Sequence, residues 1–309
     1  MPQKVIHVVG FGSHGSAWTE CLKSSGWSVQ VYLSQEGKGY QKAKELGFNP
    51  HLLPELPKRL QAQNEPACIA MLCPDSAIAG VYFEYLAHLD LDLTLILAHG
   101  FAIFTGELQF KNPEHKAALL APKAIGPKLL QNFKDHFPQP HGLCAGFYAP
   151  FGKESALIDI ARGLGISSQS LIPATFQQET LGDLISEQGL LCGGVFNLLN
   201  WTIEAMVKAG VPDALIREEC LTELELVAGL IRERGPASAF QAISQAAQCG
   251  TVALGNSLAE SGLKKQFLAQ MEDIQNQKFT QYFQSGQWRP GAQKLIRDLS
   301  HWQDRLNRK

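Results

Sequence analysis

The sequence predicts an α/β doubly wound N-terminal domain followed by an all-α C-terminal domain, and three observations carry that reading. From residue 4 to about 173, short apolar runs rich in Val, Ile and Leu alternate with helical patterns, as parallel strands joined by helical crossovers do. After Pro173 the apolar period changes to 3.6 and long helical stretches take over. Between the first two strands stands Gly10-Phe11-Gly12-Ser13-His14-Gly15, a glycine-rich turn in a strand–turn–helix setting. The first half is therefore Rossmann-like, and the domains are drawn at 1–173 and 174–309.

In chain order the strands are KVIHVVG, SVQVYL, ACIAMLC, LTLILAHG, AALLAPK and GLCAGFYA, all read as parallel, with SAWTECLKSSG as the first crossover helix. Helical stretches follow at about 176–208, 212–233, 237–252, 255–284 and 292–305. Gly210-Val211-Pro212, Gly235-Pro236 and Arg289-Pro290-Gly291 punctuate them, because Pro suits a helix start and Gly a helix end. The chain shows no internal repeat, low-complexity tract or flexible linker.

At 309 residues, the chain has room for two cores of about 150 residues each, without disulfide or metal staples. Twenty-seven Lys+Arg against twenty-nine Asp+Glu leave a net charge of −2, so there is no basic field to hold a phosphate backbone, and nucleic acid is not an expected partner. The N-terminal segment runs straight into the first strand, without the basic and apolar regions of a secretory signal. The longest uncharged run, Gly189 to Ile203, is shorter than the roughly 18 to 20 residues of a membrane span and contains Asn197, Asn200 and Trp201. It reads as a buried helix, and no membrane partner is expected. Seven cysteines without CxxC pairs or zinc-type spacing argue against a disulfide framework and for a reducing, cytoplasmic compartment.

The glycine turn has a specific chemistry. The first Gly makes the tight turn, the second lets the backbone approach a pyrophosphate, and the third lets helix pack on strand, with the helix N-terminus facing the anion. Gly10, Phe11, Gly12, Ser13, His14 and Gly15 are thus candidate cofactor-binding residues. The second strand ends in Leu33-Ser34-Gln35-Glu36-Gly37-Lys38-Gly39, with no Asp at its tip for a ribose 2′-OH and no Arg for a 2′-phosphate. Glu36 would repel a phosphate and Lys38 would attract one; either reads equally as a solvated loop charge.

Two pairs of carboxylates stand four residues apart: Asp183 and Glu187 in ETLGDLISEQ, Glu219 and Glu223 in EECLTELELV. On a helix each pair shares a face, and like charges there repel, so each pair needs solvent or a cation. Taken singly, each reads as a wet surface. Leu184, Leu190, Leu191, Cys192, Cys220, Leu221, Leu224 and Leu226 make both segments core-facing, and four inward carboxylates suit a hard divalent cation, Mg²⁺ above all.

Combined, the blocks GFGSHG at 10–15, LCPD at 72–75, AHGFAI at 98–103, APK at 121–123, TFQQETLGDLISEQGLLCGG at 175–194, ECLTEL at 219–224, AIS at 242–244 and DIQNQKF at 273–279 identify a resemblance. Over nearly its whole length the chain resembles the ketol-acid reductoisomerase family, short-chain class. The resemblance implies an enzyme that uses two Mg²⁺ ions and NAD(P)H to convert a 2-hydroxy-2-alkyl-3-oxo acid of the 2-acetolactate type to a 2,3-dihydroxy acid in branched-chain amino-acid biosynthesis. Alkyl migration precedes hydride transfer. It further implies Asp183, Glu187, Glu219 and Glu223 as metal ligands, with Asp183 bridging and Glu223 also a proton-transfer group. His99 and Lys123 become catalytic, Ser244 contacts the substrate carboxylate, Ile243, Ala247 and Cys192 line the alkyl pocket, and Pro74 and Asp75 join the cofactor site. A homodimer with shared sites is implied, Asp183 and Glu187 coming from one chain, Glu219, Glu223 and Ser244 from the other.

The chain also departs from the family pattern. APKGPGH becomes Ala121-Pro122-Lys123-Ala124-Ile125-Gly126-Pro127, with branched Ile125 where a small or cyclic residue is expected beside the substrate. The usual 2′-phosphate ligands are replaced by Ser34, Glu36, Gly37 and Gly39, which favours NADH being used at least as well as NADPH. Gln248 stands where a glutamate is expected. The competing readings are a paralogous NAD(P)-dependent oxidoreductase on another oxo acid, motivated by Ile125 and Gln248, and a non-catalytic nucleotide-binding protein.

Overall fold

The structure, a computed structural model, describes residues 4–306; the first three residues of the N-terminal segment and the last three of the chain lie outside it. The chain forms two compact units, Met1–Thr180 and Leu181–Lys309. They part within the helix Phe176–Ser186, seven residues beyond the boundary drawn from the sequence.

The first unit is an eight-stranded sheet of β1 (Val5–Val9), β2 (Ser28–Leu33), β3 (His51–Leu52), β4 (Ala67–Met71), β5 (Leu93–Leu97), β6 (Lys116–Pro122), β7 (Ala145–Tyr148) and β8 (Leu171–Pro173), in the order β3-β2-β1-β4-β5-β6-β7-β8. β5 is buried along its whole length, as a central strand covered on both faces must be. Alternate residues feed opposite cores. Val9, Ile69, Met71, Leu95 and Leu97 pack with Leu56, Leu60 and Tyr82 on one face. Ile6, Val8, Ala70, Ile96 and Leu120 pack with Trp18, Leu22, Leu129 and Phe133 on the other.

All six expected strands form, but not all are parallel: β7 runs antiparallel to β6. After the helix Gly126–His136 the segment through Cys144 returns the chain along the sheet, and the Cys144 carbonyl accepts from the Lys123 N–H at 2.9 Å, beside the end of β6. From that end the next strand can only run back. β3 and β8, of two and three residues, are too short to carry a period and escape sequence reading.

The second unit is helical among its described residues. Phe176 to Lys208 is one continuous helix of 33 residues, with a wide π turn at Glu187–Leu191. Asp213–Arg217 leads through a second π turn, Glu218–Thr222, into Glu223–Arg234. Pro236–Ala242, Gln245–Glu260, Leu263–Gln275, Lys278–Ser285 and Arg289–Leu306 complete it. Two expected stretches are divided. The 237–252 stretch breaks at Ile243, whose extended backbone hands over to Ser244 as the helix cap. The 255–284 stretch breaks at Gly262 and again at Gln277, both left-handed.

The run Gly189 to Ile203 is helical but not buried within the chain: Leu190, Leu191, Phe196, Leu198 and Trp201 are exposed and only its ends, Gly189 and Ile203, are enclosed. By length and composition alone the helix Phe176–Lys208 would pass as a membrane span, a weak indication for a helix bearing Glu179, Asp183, Glu187 and Glu204. The small core of this unit gathers Ile203, Ile216, Cys220 and Leu306.

Candidate active site

Strand order reverses between β1 and β4, where open α/β sheets hold their ligands beyond the strand ends. The glycine turn follows β1 there and the LCPD block follows β4. Gly10 has φ +101°, and a Cβ on it would lie 2.6 Å from the backbone of Leu72 and Cys73, so only Gly fits. Above Gly12 there is open space, whereas a side chain on Gly15 would strike the Gly10 carbonyl. The helix Ser13–Ser24 starts at this turn, so its unpaired N–H groups suit an anion. Pro74 and Asp75 open the helix Asp75–Val81 beside it. Ser34, Glu36 and Lys38 are all exposed past the end of β2.

At the C-terminal ends of β5 and β6 stand His99 and Lys123, and the structure joins them through a residue that sequence reasoning passed over. Glu179, on the helix Phe176–Ser186, has a side chain only 1% exposed. Its Oε2 accepts from the Gly100 N–H at 3.0 Å and lies 3.1 Å from His99 Nδ1, while Oε1 accepts from Lys123 Nζ at 2.8 Å. Burial opposes ionisation of this carboxyl, yet hydrogen bonds and charge from His99 and Lys123 outweigh it and hold its pKa down at about 2. A Cβ on Gly100 would strike Thr180 Oγ1 and come within 2.8 Å of the Phe176 carbonyl, so glycine there admits the helix. The signal was present in the sequence, a Glu four residues before Asp183 in the same block, but its partners lie 80 and 56 residues away.

The carboxylate pairs behave differently from the expectation of four inward groups. Asp183 and Glu187 are half-buried, but Glu219 and Glu223 are exposed within the chain, as are Leu190, Leu191, Cys192, Leu221, Leu224 and Leu226; only Leu184 and Cys220 of the expected core-facing set are buried. The reason is that one chain supplies no second layer over these helices. Among the described residues no cluster of three metal-type ligands contains Glu187, Glu219 or Glu223, and Glu219 and Glu223 have no cationic partner.

Ser244 is not a mid-helix serine: its Oγ caps the helix Gln245–Glu260 by accepting from the Ala247 N–H at 3.2 Å. Gln248 Nε2 donates to the Ile243 carbonyl at 3.1 Å, bracing the same turn, which a carboxylate has no hydrogen to do. Ile243 is half-buried and Ala247 exposed. Ile125 precedes the helix Gly126–His136 and is 70% exposed.

A mostly parallel sheet with a phosphate-type glycine turn at its switch point, a paired His–Glu–Lys set at neighbouring strand ends and a helical second unit defines a nucleotide-dependent oxidoreductase of two units. Comparison with known proteins narrows the class. Residues 1–167 match the family model described as acetohydroxy acid isomeroreductase, NADPH-binding domain, and residues 176–301 that of ketol-acid reductoisomerase, C-terminal domain. A Methanococcus maripaludis protein named ketol-acid reductoisomerase (NADP(+)) is 30% identical over 92% of this chain and 84% of its own. One of the same name from Saccharolobus solfataricus is 28% identical over 99% of this chain and 89% of its own. Among solved structures, an NADH-preferring ketol-acid reductoisomerase from an uncultured archean superposes with a TM-score of 0.78 at 24% identity, covering 96% of this chain and 89% of that one. A semialdehyde dehydrogenase NAD-binding protein from Cupriavidus necator gives 0.65 at 15% identity, covering 86% and 95%, a likeness of fold alone. The chain belongs to the ketol-acid reductoisomerase family, enzymes of the NAD(P)-dependent oxidoreductase class.

Proposed function

We propose that this protein isomerises and reduces a 2-hydroxy-3-oxo acid of the 2-acetolactate type to a 2,3-dihydroxy acid, with NAD(P)H and two Mg²⁺, in branched-chain amino-acid biosynthesis. It does so in the cytoplasm, as a homodimer with shared active sites and with no nucleic-acid or membrane partner. The observation that carries the reading is the buried, ionised Glu179 holding His99 and Lys123 together, in a chain that also keeps both carboxylate pairs and Ser244. In this reading 1–173 binds the dinucleotide, and 174–309 binds metal and substrate and dimerises.

The donor set fits the metals. Asp183, Glu187, Glu219 and Glu223 offer only carboxylate oxygen, which hard divalent cations prefer, and among the described residues the exposed Glu219–Glu223 pair has no protein cation to offset its repulsion. When bound, Mg²⁺ supplies Lewis acidity to the substrate hydroxyl and ketone, and the nicotinamide supplies hydride. The remaining chemistry belongs to the chain. Glu179 pairs with Lys123 and accepts from His99 Nδ1, which leaves His99 Nε2 as the ring atom at which a proton is held or moved. Ser244 uses a lone pair on its own helix, leaving its hydrogen for the substrate carboxylate. Ile243, Ala247 and Cys192 shape the alkyl pocket, and Glu223 assists proton transfer in the second step. Gly10 through Gly15, with Pro74 and Asp75, hold the cofactor. Exposed apolar residues along the second unit support a second chain against it.

For the cofactor, Ser34 and Lys38 offer little to a 2′-phosphate and Glu36 repels it, so NADH is used at least as well as NADPH. A charged hydrogen bond gained or lost is worth about 1.5–3 kcal/mol, or roughly tenfold to a hundredfold in discrimination. The deciding experiment is Mg²⁺-dependent turnover of 2-acetolactate with each cofactor, repeated with Glu36→Gln. Absence of turnover with both cofactors overturns the reading, and reduction of other oxo acids without alkyl migration identifies the paralogous oxidoreductase instead. A strong NADPH preference unchanged in Glu36→Gln overturns the cofactor assignment alone.

A further inference from the structure

The π turn Glu187–Leu191 begins on one of the proposed metal ligands: the Cys192 N–H donates to the Glu187 carbonyl at 2.8 Å, five residues back instead of four. One residue of a helix turns it by about 100°, so this single wide turn resets the face on which everything before it lies relative to everything after it. The helix beyond the turn is anchored. Ile203 is sealed in a core with Ile216, Cys220 and Leu306, and Trp302 Nε1 donates to Asn200 Oδ1 at 2.7 Å. Ile216 and Cys220 flank the approach to Glu219 and Glu223, so one core references both carboxylate segments.

Two glycines make the wide turn possible and a third makes room for the helix packed on it. A Cβ on Gly193 would overlap the Gln188 carbonyl, the one that the wide turn brings beneath it, and a Cβ on Gly194 would lie 2.8 Å from the Gly189 carbonyl. Gly189 itself lies under the helix Leu263–Gln275: a Cβ there would lie 2.8 Å from Phe267 Cζ and 3.4 Å from Met271 Sδ. The two backbone obstructions can yield only if the turn itself changes, whereas the Phe267 ring can move aside.

We infer that Gly189, Gly193 and Gly194 are positioning residues: they admit the π turn and the Phe267 ring seated on it, and thereby fix the direction of the Asp183–Glu187 carboxylate pair. This rests on the proposed role of that pair as metal ligands. Side chains at 193 or 194 force the turn toward ordinary helix and rotate the Asp183–Glu187 face, as a pair, relative to the anchored helix beyond it, while leaving the carboxylates themselves unchanged.

The test measures Mn²⁺ binding, by electron paramagnetic resonance of the free ion, to the full-length protein and its Gly193→Ala variant, with Gly80→Ala, whose added methyl meets open space, as control. Gly193→Ala is expected to weaken Mn²⁺ binding about 10- to 100-fold, as loss of orientation around metal ligands does, with Gly80→Ala unchanged. Gly189→Ala, expected to weaken binding less, is rescued by adding Phe267→Ala, which removes the obstructing ring; this pair decides the matter if Gly193→Ala does not fold. Binding within twofold of native in Gly193→Ala, or no rescue in the double variant, overturns the inference. A native protein that binds no Mn²⁺ overturns the metal reading itself, and the inference with it.

Discussion

The two units solve the problem of burying apolar surface in opposite ways. In the first, strands such as β5 are enclosed on both faces, and the deeply buried carboxylate of Glu179 is matched by His99, Lys123 and the Gly100 N–H. In the second, Leu190, Trp201, Leu226, Leu254 and Ile296 are all more than half exposed, and among the described residues Glu219 and Glu223 have no cation beside them. A unit that completes its own core needs nothing further; one that leaves apolar helical faces open is, on the reading proposed above, completed by a second copy of the chain. The same contrast separates two polar sets: His99, Glu179 and Lys123 are matched within the first unit, whereas Glu219 and Glu223 in the second are exposed.

The largest effects should come from the second unit. Asp183→Asn and Glu219→Gln are each expected to abolish 2-acetolactate turnover with the fold retained by circular dichroism. Mixed chains should regain activity at about one site in two among heterodimers if the sites are shared across a two-fold interface. No recovery on mixing would place both pairs in one chain.

Next in size, Trp201→Glu or Leu254→Glu should dissociate the proposed dimer, raising its dissociation constant by about a hundredfold or more, because a charge would be sealed in an apolar interface. Phe151→Glu, on an equally apolar but isolated exposed side chain of the first unit, should leave the oligomeric state untouched. Sedimentation velocity distinguishes these outcomes, and dissociation by Phe151→Glu would erase the contrast between the units.

Glu179→Gln should lower kcat by about a hundredfold, within the range for loss of a tuned proton-transfer group, since a neutral amide has no charge to hold Lys123 and a single acceptor oxygen where two now serve His99 and Lys123. Activity within threefold of native would show that the set is structural.

The smallest effect is confined to the first unit and depends on pH. His7, 1% exposed between Tyr32 and Gln63, has its pKa lowered by burial from 6.5 to about 4. The unfolded chain therefore takes up that proton first, so the contribution is whole above pH 6.5 and is lost as pH falls from 6.5 to 4, amounting to about 3 kcal/mol. Glu179, with its pKa lowered from 4.5 to about 2, adds a second loss between those values. The melting temperature of native protein should fall from pH 7 to pH 4, and His7→Gln should flatten that fall.

Much of this was legible in the amino-acid sequence. The six longer strands, the glycine turn and the helical second half are set by local periodicity and by Gly and Pro placement, which act over a few residues. The carboxylate pairs were visible as residue types at fixed spacing, whereas His99, Lys123 and Ser244 were marked by the blocks that carry the family resemblance. What only the tertiary structure decided depends on groups far apart in the chain. β7 is antiparallel because the segment to Cys144 brings the chain back to Lys123. Glu179 binds His99 and Lys123 because two strand ends and one helix converge on it, and Ser244 is a cap because Ile243 leaves the helix. Whether an apolar helix face is core or surface is also beyond local pattern. The run Gly189 to Ile203 carries the same hydrophobic signal either way, and only the presence or absence of a second layer determines which it becomes.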